Sequence, residues 1–453
     1  MPDITSYNGI DMANIASING QDIASGGAFN PVTGDGTYTE TVPTSGLIQI
    51  GGNSQSVYDN VSQGGKTSSQ DYLPGFLLGT DIKRNFSSDV DGQRCIAETP
   101  FSGTVAQIAS HINGIMIIDT DGKLWILCKN TSQWGIGGTP TLRTFTQVTG
   151  VGDSDTGWTK VACGSGHAFA INAGKLYAIG QGSYGMLGRG NTSSSYNSWT
   201  QIGSDSDWVD VAAASTHSVA IKGSSNTLYT CGSNSDGKTG LGTTSSNTLT
   251  WTAVTATNLL NSSANGFSYV TASYHHTGGI QSGRAFMCGR SDSNCTFGQN
   301  ITVDQDVMIQ VGSVGGSLQT NWTQLAPTYY STNLLNSSGE LYHQGDGQYY
   351  LSGDGSTTDH KDQAVRTGTF SDVTDLIISH LEYNPSRAGI VRGGKAYYSG
   401  LAKSGNIVPT DTNVTSAYAK SWTLILDGQI NGNGIFIFGG SSTNHMSFMA
   451  QYQ

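Results

Sequence analysis

Trp158–Gly190, WTKVACGSGHAFAINAGKLYAIGQGSYGMLGRG, is the stretch from which the fold is read. Val161-Ala162-Cys163 is a short apolar run that stops at Gly164. His167–Ile171 then alternates around small residues, Asn172–Lys175 is a turn, and Leu176–Ile179 is apolar again. Short apolar runs punctuated by Gly, Asn and Ser predict antiparallel strands rather than helix. Trp199–Ile202 follows a polar loop as a fourth strand. The unit then starts over with Trp208–Val211, His217–Ile221, Leu228–Gly232 and Trp251–Val254.

Working outward, one aromatic position marks the period: Trp125, Tyr177, Tyr229, Phe286, Tyr342, Tyr397 and Phe436, at intervals of 52, 52, 57, 56, 55 and 39 residues. An upstream strand keeps step, as Val105–Ala109, Val161–Gly164, Val211–Ala214, Val270–Ser273, Thr323–Ala326, Val373–Leu376 and Val414–Ala417. A period near fifty with several strands per unit predicts a propeller rather than a helical solenoid. A lone four-stranded sheet cannot bury both faces, so neighbouring units must cover each other. The expectation is an all-β chain: a seven-bladed β-propeller over residues 101–453, preceded by an extended N-terminal arm of residues 1–100 with isolated strands such as GLIQIGG (Gly46–Gly52) and a polar linker. The seventh unit is short; either its own strand His445–Gln451 or a strand from the first hundred residues completes it.

At 453 residues the chain can hold a substantial core. Charged residues are 12% of it, and 32 acids against 21 Lys and Arg leave a net charge of −11. That balance disfavours binding to nucleic acid, whose phosphates need a basic surface. No run of 18 apolar residues predicts a membrane span, and no basic-then-apolar leader predicts secretion; the first Lys or Arg is Lys66. Cys95, Cys128, Cys163, Cys231, Cys288 and Cys295 form no CxxC pair, and three of them fall at repeat-equivalent points. They read as small buried hydrophobes.

The units VACGSGHAFAI, GKLYAIGQGSYGMLGRG and WTQI, and again AAASTHSVAI, LYTCGSNSDGKTGLG and WTAV, resemble the repeats of the regulator of chromosome condensation family, a seven-bladed β-propeller. Divergent units follow, and the first keeps mainly DTDGKLWILC. The resemblance implies the fold. The founding activity, nucleotide exchange on a small GTPase with chromatin binding, is not expected, since residues 1–65 hold no Lys, Arg or His and function must be argued from a site. A second resemblance lies in ITSYNGIDMANIASINGQDIA near the N-terminus, which looks like virion structural proteins of tailed phages from cyanobacterial and marine hosts. It implies a docking segment carried by Ile10, Ile15, Ile18 and Ile23.

Candidate chemistry is sparse. His111, His167, His217, His275 or His276, and His380 fall near one repeat position, and ligands spread around a ring cannot converge on one metal. Hydrogen bonding to neighbouring turns is the expected role. Asp119–Gly122 and Asp153–Gly157 lack the glutamate spacing of a calcium loop and read as turns. No nucleophile elbow, zinc helix or phosphate loop occurs in context, so no catalytic residue, metal or cofactor is expected. Aromatic residues in loop-like contexts, Trp134, Tyr184, Tyr274, Tyr329 and Tyr349, are the ligand-binding candidates.

The resulting expectation is a non-enzymatic phage virion protein present in many copies. Its arm docks to other virion proteins, and its propeller is displayed as a fibre-like tail component that recognises a host surface glycan or protein. The alternatives are a capsid decoration protein and a cellular protein-interaction propeller.

Overall fold

Six strands open on a large apolar residue: Val105, Trp158, Trp208, Phe267, Trp322 and Val373, all buried. Each is the first strand of a four-stranded meander, so the chain folds back on itself three times within each unit. In the computed structural model the described residues are 103–377 with gaps (the longest 129–144), 387–401 and 418–426. To these are added strands at 6–7, 10–11, 17–18, 21–22, 46–51, 96–98, 414–415, 436–439 and 446–452. They hold strands and single 3₁₀ turns and no α-helix.

Blade 1 comprises Val105–His111, Gly114–Asp119, Leu124–Cys128 and Thr146–Gln147. Blade 2 comprises Trp158–Cys163, His167–Asn172, Lys175–Gly180 and Tyr196–Gln201, and blade 3 Trp208–Ala213, His217–Lys222, Thr227–Gly232 and Thr248–Ala253. Blade 4 follows with Phe267–Ala272, His276–Gln281, Arg284–Gly289 and Gln305–Val311, and blade 5 with Trp322–Pro327, Ser331–Asn336, Leu341–Gly345 and His360–Arg366. Blade 6 has Val373–Ile377, Arg387–Arg392, Lys395–Leu401 and Tyr418–Leu426. Every blade is an antiparallel meander, and the first strands of neighbouring blades lie side by side around an axis.

The all-β propeller is therefore present, but the count of seven is corrected to six blades among the described residues. Val414–Thr415 opens no new unit; it folds back onto Tyr418–Ala419 and widens blade 6. The last strands, Phe436–Gly439 and Met446–Tyr452, instead share a composite four-stranded sheet with Gly46–Gly51 and Ile96–Glu98. GLIQIG is thus not isolated: it pairs along its whole length with the C-terminal strand, because the short last stretch supplies too few strands of its own.

The cores lie between blades. Met116, Ile118 and Leu124 of blade 1 pack with Trp158, Cys163 and Tyr177 of blade 2. Phe169, Leu176 and Ile202 of blade 2 pack with Trp208 and Val211 of blade 3. Cys163, Cys231 and Cys288 are buried, the small-hydrophobe role expected of the cysteines; Cys231 and Cys288 hold the repeat-equivalent position, which they share with Cys128, whose side chain lies outside the described residues.

Two sets of polar joints fix neighbour to neighbour. Each inner strand carries a bulge after its first residue. The bulge turns the third residue (Gln107, Lys160, Asp210, Tyr269, Gln324 or Asp375) into an axial cavity of about 630 Å³. There the side chains reach sideways. Val161 N donates to Gln107 Oε1 (3.0 Å), Lys160 Nζ lies 3.3 Å from Asp210 Oδ1, and Tyr269 Oη donates to Leu325 O (3.2 Å). Gln324 accepts from Leu376 N (2.9 Å) and donates to Asp375 Oδ1 (3.2 Å). Burial pushes the Asp210 and Asp375 carboxyls and the Tyr269 phenol up from their ordinary values.

At this same end of the strands, the turn between the second and third strands bonds the next blade's first residue. Trp158, Trp208, Phe267, Trp322 and Val373 donate their N–H groups to Gly122, Asn226-type and equivalent turn carbonyls, as in Trp208 N to Gly174 O at 2.9 Å. Ala173 and Gly174 both have positive φ (48° and 76°), the hairpin geometry that suits the strand twist. A Cβ on Gly174 would run into the Ser206 carbonyl, whereas one on Gly203, also at positive φ, meets nothing within 4 Å. Gly174→Ala should cost about 2–3 kcal/mol and Gly203→Ala about 1 kcal/mol in denaturant unfolding. Equal costs would show that the inter-blade turn joint does not bear on stability.

Candidate functional site

In each blade the loop after the first strand and the loop after the third emerge at the same end, since His167 pairs with Gly180, His217 with Gly232 and His276 with Gly289. This loop face gathers most of the sequence-nominated residues that fall among the described ones.

The histidines come first. His167 Nε2 lies 2.9 Å from Ser218 Oγ on the next blade, and His217 Nε2 lies 2.9 Å from Thr277 Oγ1 on the one after. Both hydroxyls already donate, Ser218 to Met186 O and Thr277 to Lys238 O, so each imidazole donates through Nε2. His276 ends this relay by turning to Arg290 O at 2.7 Å. Burial drives the His167 and His276 imidazoles down to about 3; burial, aided by the Lys238 charge, drives His217 well down too. They are neutral: His167 and His217 join neighbouring blades, and His276 bonds the turns of its own blade at Arg290 O and Ser273 Oγ, the hydrogen-bonding role the sequence predicted. His111 and His380 have side chains outside the described residues.

Beside the relay, three blades bring charged and aromatic groups together. His275 Nδ1 lies 2.9 Å from Asp236 Oδ2, at the tip of the turn after the third strand of blade 3. That hydrogen bond holds the Asp236 carboxyl below its ordinary value. Arg290 NH1 faces His275 Nε2 at 3.4 Å and donates to Tyr329 Oη at 3.3 Å. Tyr274 and Tyr329 stack with ring centroids 5.9 Å apart and planes within 20°. His275 meets both edge-on, at 4.5 and 4.6 Å. The adjacent pair His275-His276 thus serves two different partners. Lys238, only 3% exposed, donates from Nζ to Thr216 Oγ1 (2.9 Å) and lies 5.9 Å from the Tyr274 ring centroid. Burial pulls its amine down to about 8.

Of the aromatic candidates, the fold thus joins Tyr274 and Tyr329. Tyr184 stands apart on blade 2, 49% exposed at a positive-φ turn. Trp134 and the side chain of Tyr349 lie outside the described residues, as do Ile15, Ile23 and the side chains of Ile10 and Ile18. Sequence reasoning missed Asp236, Lys238 and Arg290. One signal was there: aligning Ser183-Tyr184-Gly185-Met186 with Ser235-Asp236-Gly237-Lys238 shows a lysine where the preceding repeat has methionine.

Residues 173–221 match the model of the regulator of chromosome condensation (RCC1) repeat. The fold is an RCC1-like β-propeller. The matched repeat runs from the turn after the second strand of blade 2 to the second strand of blade 3, so the sequence unit straddles two blades. Prp20p from Saccharomyces cerevisiae, whose structure is described with its binding to Gsp1p and histones, is similar at 12% identity and a TM-score of 0.62, over 91% of this chain and 93% of that one. Human WBSCR16 is similar at 16% identity and 0.61, over 79% and 89%. Yeast RCC1 (Prp20) bound to Kap60 gives 12% and 0.57, over 76% and 80%. No curated protein matches by sequence.

The loop face also carries a titrating pair. Asp346 N donates to Tyr330 O, and burial, then the nearby Asp359 carboxylate, pushes the Asp346 carboxyl up to about 6. A carboxyl whose pKa is raised in the fold favours the protonated folded form. Its contribution is full below the ordinary carboxylate range and is lost as pH rises through about 6. Asp346→Asn, which keeps an acceptor for Gln348 N and a donor toward Asp359, should remove that loss. Thermal midpoints of wild type and variant should diverge in the variant's favour as pH rises from about 4 to about 6 and run parallel above that; curves parallel across that window would refute the assignment.

Proposed function

We propose that the chain is a non-enzymatic binding protein of a tailed-phage virion, whose arm docks on the particle and whose propeller presents its loop face to a host surface. The observation that carries the binding role is the Tyr274–Tyr329–His275–Arg290 assembly, drawn from two blades onto a face built of loops on a rigid scaffold. Tyrosine and arginine are the residue types that dominate the energetics of protein contacts. The virion setting is supported by the N-terminal sequence. Ser6–Tyr7 pairs with Ile10–Asp11 across Asn8-Gly9, and Ser17–Ile18 pairs with Gln21–Asp22 across Asn19-Gly20, so SYNGID and SINGQD are two copies of one small hairpin. Hairpins this short are not stable alone and suit a segment held by a partner. Localisation to the assembled particle follows, with a tail position favoured over capsid decoration by the arm-and-head layout.

A cellular protein-interaction propeller is the second reading. It is supported by neighbours described with protein partners, Gsp1p, histones and Kap60.

Removing residues 1–30 should abolish incorporation into particles, read by mass spectrometry of purified virions, while the thermal midpoint of the purified chain is unchanged. The double substitution Tyr274→Ala, Tyr329→Ala should leave incorporation intact and slow host adsorption about tenfold or more. Particles that lack the full-length chain would refute the virion role.

A further inference from the structure

The charged residues lining the axial cavity of about 630 Å³ are Asp119, Lys160, Asp210 and Asp375. The Asp119 carboxylate is turned onto its own hairpin, where it accepts from the N–H groups of Asp121 and Lys123 and from the Trp125 indole. Lys160 Nζ lies 3.3 Å from Asp210 Oδ1. Asp375 is left with the neutral amide of Gln324, at 3.2 Å, and no cation among the described residues. Phe436–Gly439, which packs beside Val105–His111, brings none: residues 428–444 contain no ionisable side chain. The walls therefore hold one carboxylate more than they pair, and a buried charge without a partner is unfavourable. Burial raises the Asp210 and Asp375 carboxyls, and the Tyr269 phenol is raised by burial and then by these two carboxylates, so both acids lie toward Tyr269. A neighbouring hydroxyl has the same need. Thr271 stands two residues beyond Tyr269 on one strand, so the two side chains share a face. Thr271 is 1% exposed and lines the cavity, and its Oγ1 has no hydrogen-bond partner among the described residues. The Lys160 side chain is 38% exposed, so the space communicates with solvent.

We propose that the axial cavity binds one alkylammonium group, held by the Asp375 carboxylate and the Tyr269 and Thr271 oxygens, with its hydrocarbon chain against Val211, Val270 and Leu376. An ammonium offers three donors, one for each of these acceptors, and the bond to the carboxylate is charge-assisted. Its single charge is the one the walls lack. A divalent metal ion needs a shell of oxygen ligands, and the cavity withholds it. The Lys160 ammonium already sits at Asp210, and the side-chain oxygens of Gln107 and Gln324 are taken by the N–H groups of Val161 and Leu376. A free amine and a lysine side chain of a partner carry the same group, and the experiment separates the two.

The site stands apart from the loop face and from the particle, so its failure leaves the proposed function untouched. The probes for the purified full-length chain are n-butylamine, its neutral counterpart 1-butanol, Nα-acetyl-lysine methylamide and calcium chloride, titrated calorimetrically at neutral pH. Butylamine should bind saturably at one site, and butanol at least about tenfold more weakly. Binding of the lysine amide as well assigns the site to a partner's side chain; binding of butylamine without it assigns a free amine. Asp375→Asn keeps the acceptor for Gln324 and should weaken butylamine by about tenfold or more with the thermal midpoint held or raised. Thr271→Val keeps the volume and should weaken butylamine severalfold with the fold retained. The proposal is overturned if butylamine does not bind, if butanol binds as well, or if Asp375→Asn binds butylamine like wild type. Calcium binding that Asp375→Asn abolishes, in place of amine binding, would overturn it equally.

Discussion

No blade of this protein can shield its own faces, and the joint between one blade and the next is what the remainder of the molecule rests on. The apolar part of that joint is the packing of large residues at the start of each inner strand against the preceding blade. The polar part is threefold: side chains from the inner-strand bulge reaching around the axis, turn carbonyls receiving the first N–H of the next inner strand, and the histidine-to-hydroxyl contacts of blades 2 to 4. Buried polar groups are tolerated here because they meet partners across the gap.

The joints constrain geometry far more than identity. At the third position of the inner strand, Gln107, Lys160, Asp210, Tyr269, Gln324 and Asp375 have little chemistry in common, yet each points into the same cavity. A bulge that re-aims a side chain, together with a neighbour offering both donors and acceptors, accepts any residue long and polar enough. This freedom accounts for a propeller that aligns with Prp20p over nine-tenths of its length at 12% identity.

The loop face obeys different rules. There the turns after the third strand share one backbone shape in blades 2 and 3, with Tyr184 and Asp236 both at positive φ, while their side chains diverge. Where blades 3, 4 and 5 meet, the divergence produces a stacked tyrosine pair, an Asp–His contact and two cations, one of them buried. A scaffold that repeats supplies equivalent positions; differences between repeats make a site.

The sequence alone determined the strand pattern, the period, the all-β class, the burial of Cys163, Cys231 and Cys288, and the structural hydrogen-bonding role of His167, His217 and His276. All of these follow from local periodicity and from the repetition of one unit. It also marked Tyr274 and Tyr329 as loop aromatics, though not as neighbours. Only the tertiary structure decided that Val414–Thr415 extends blade 6, that Gly46–Gly51 pairs with Met446–Tyr452, and that Asp236, His275, Arg290 and Tyr329 form one network across three blades. Strand pairing between the chain's distant ends and contacts between repeats depend on which surfaces meet across space, and no period along the chain encodes that.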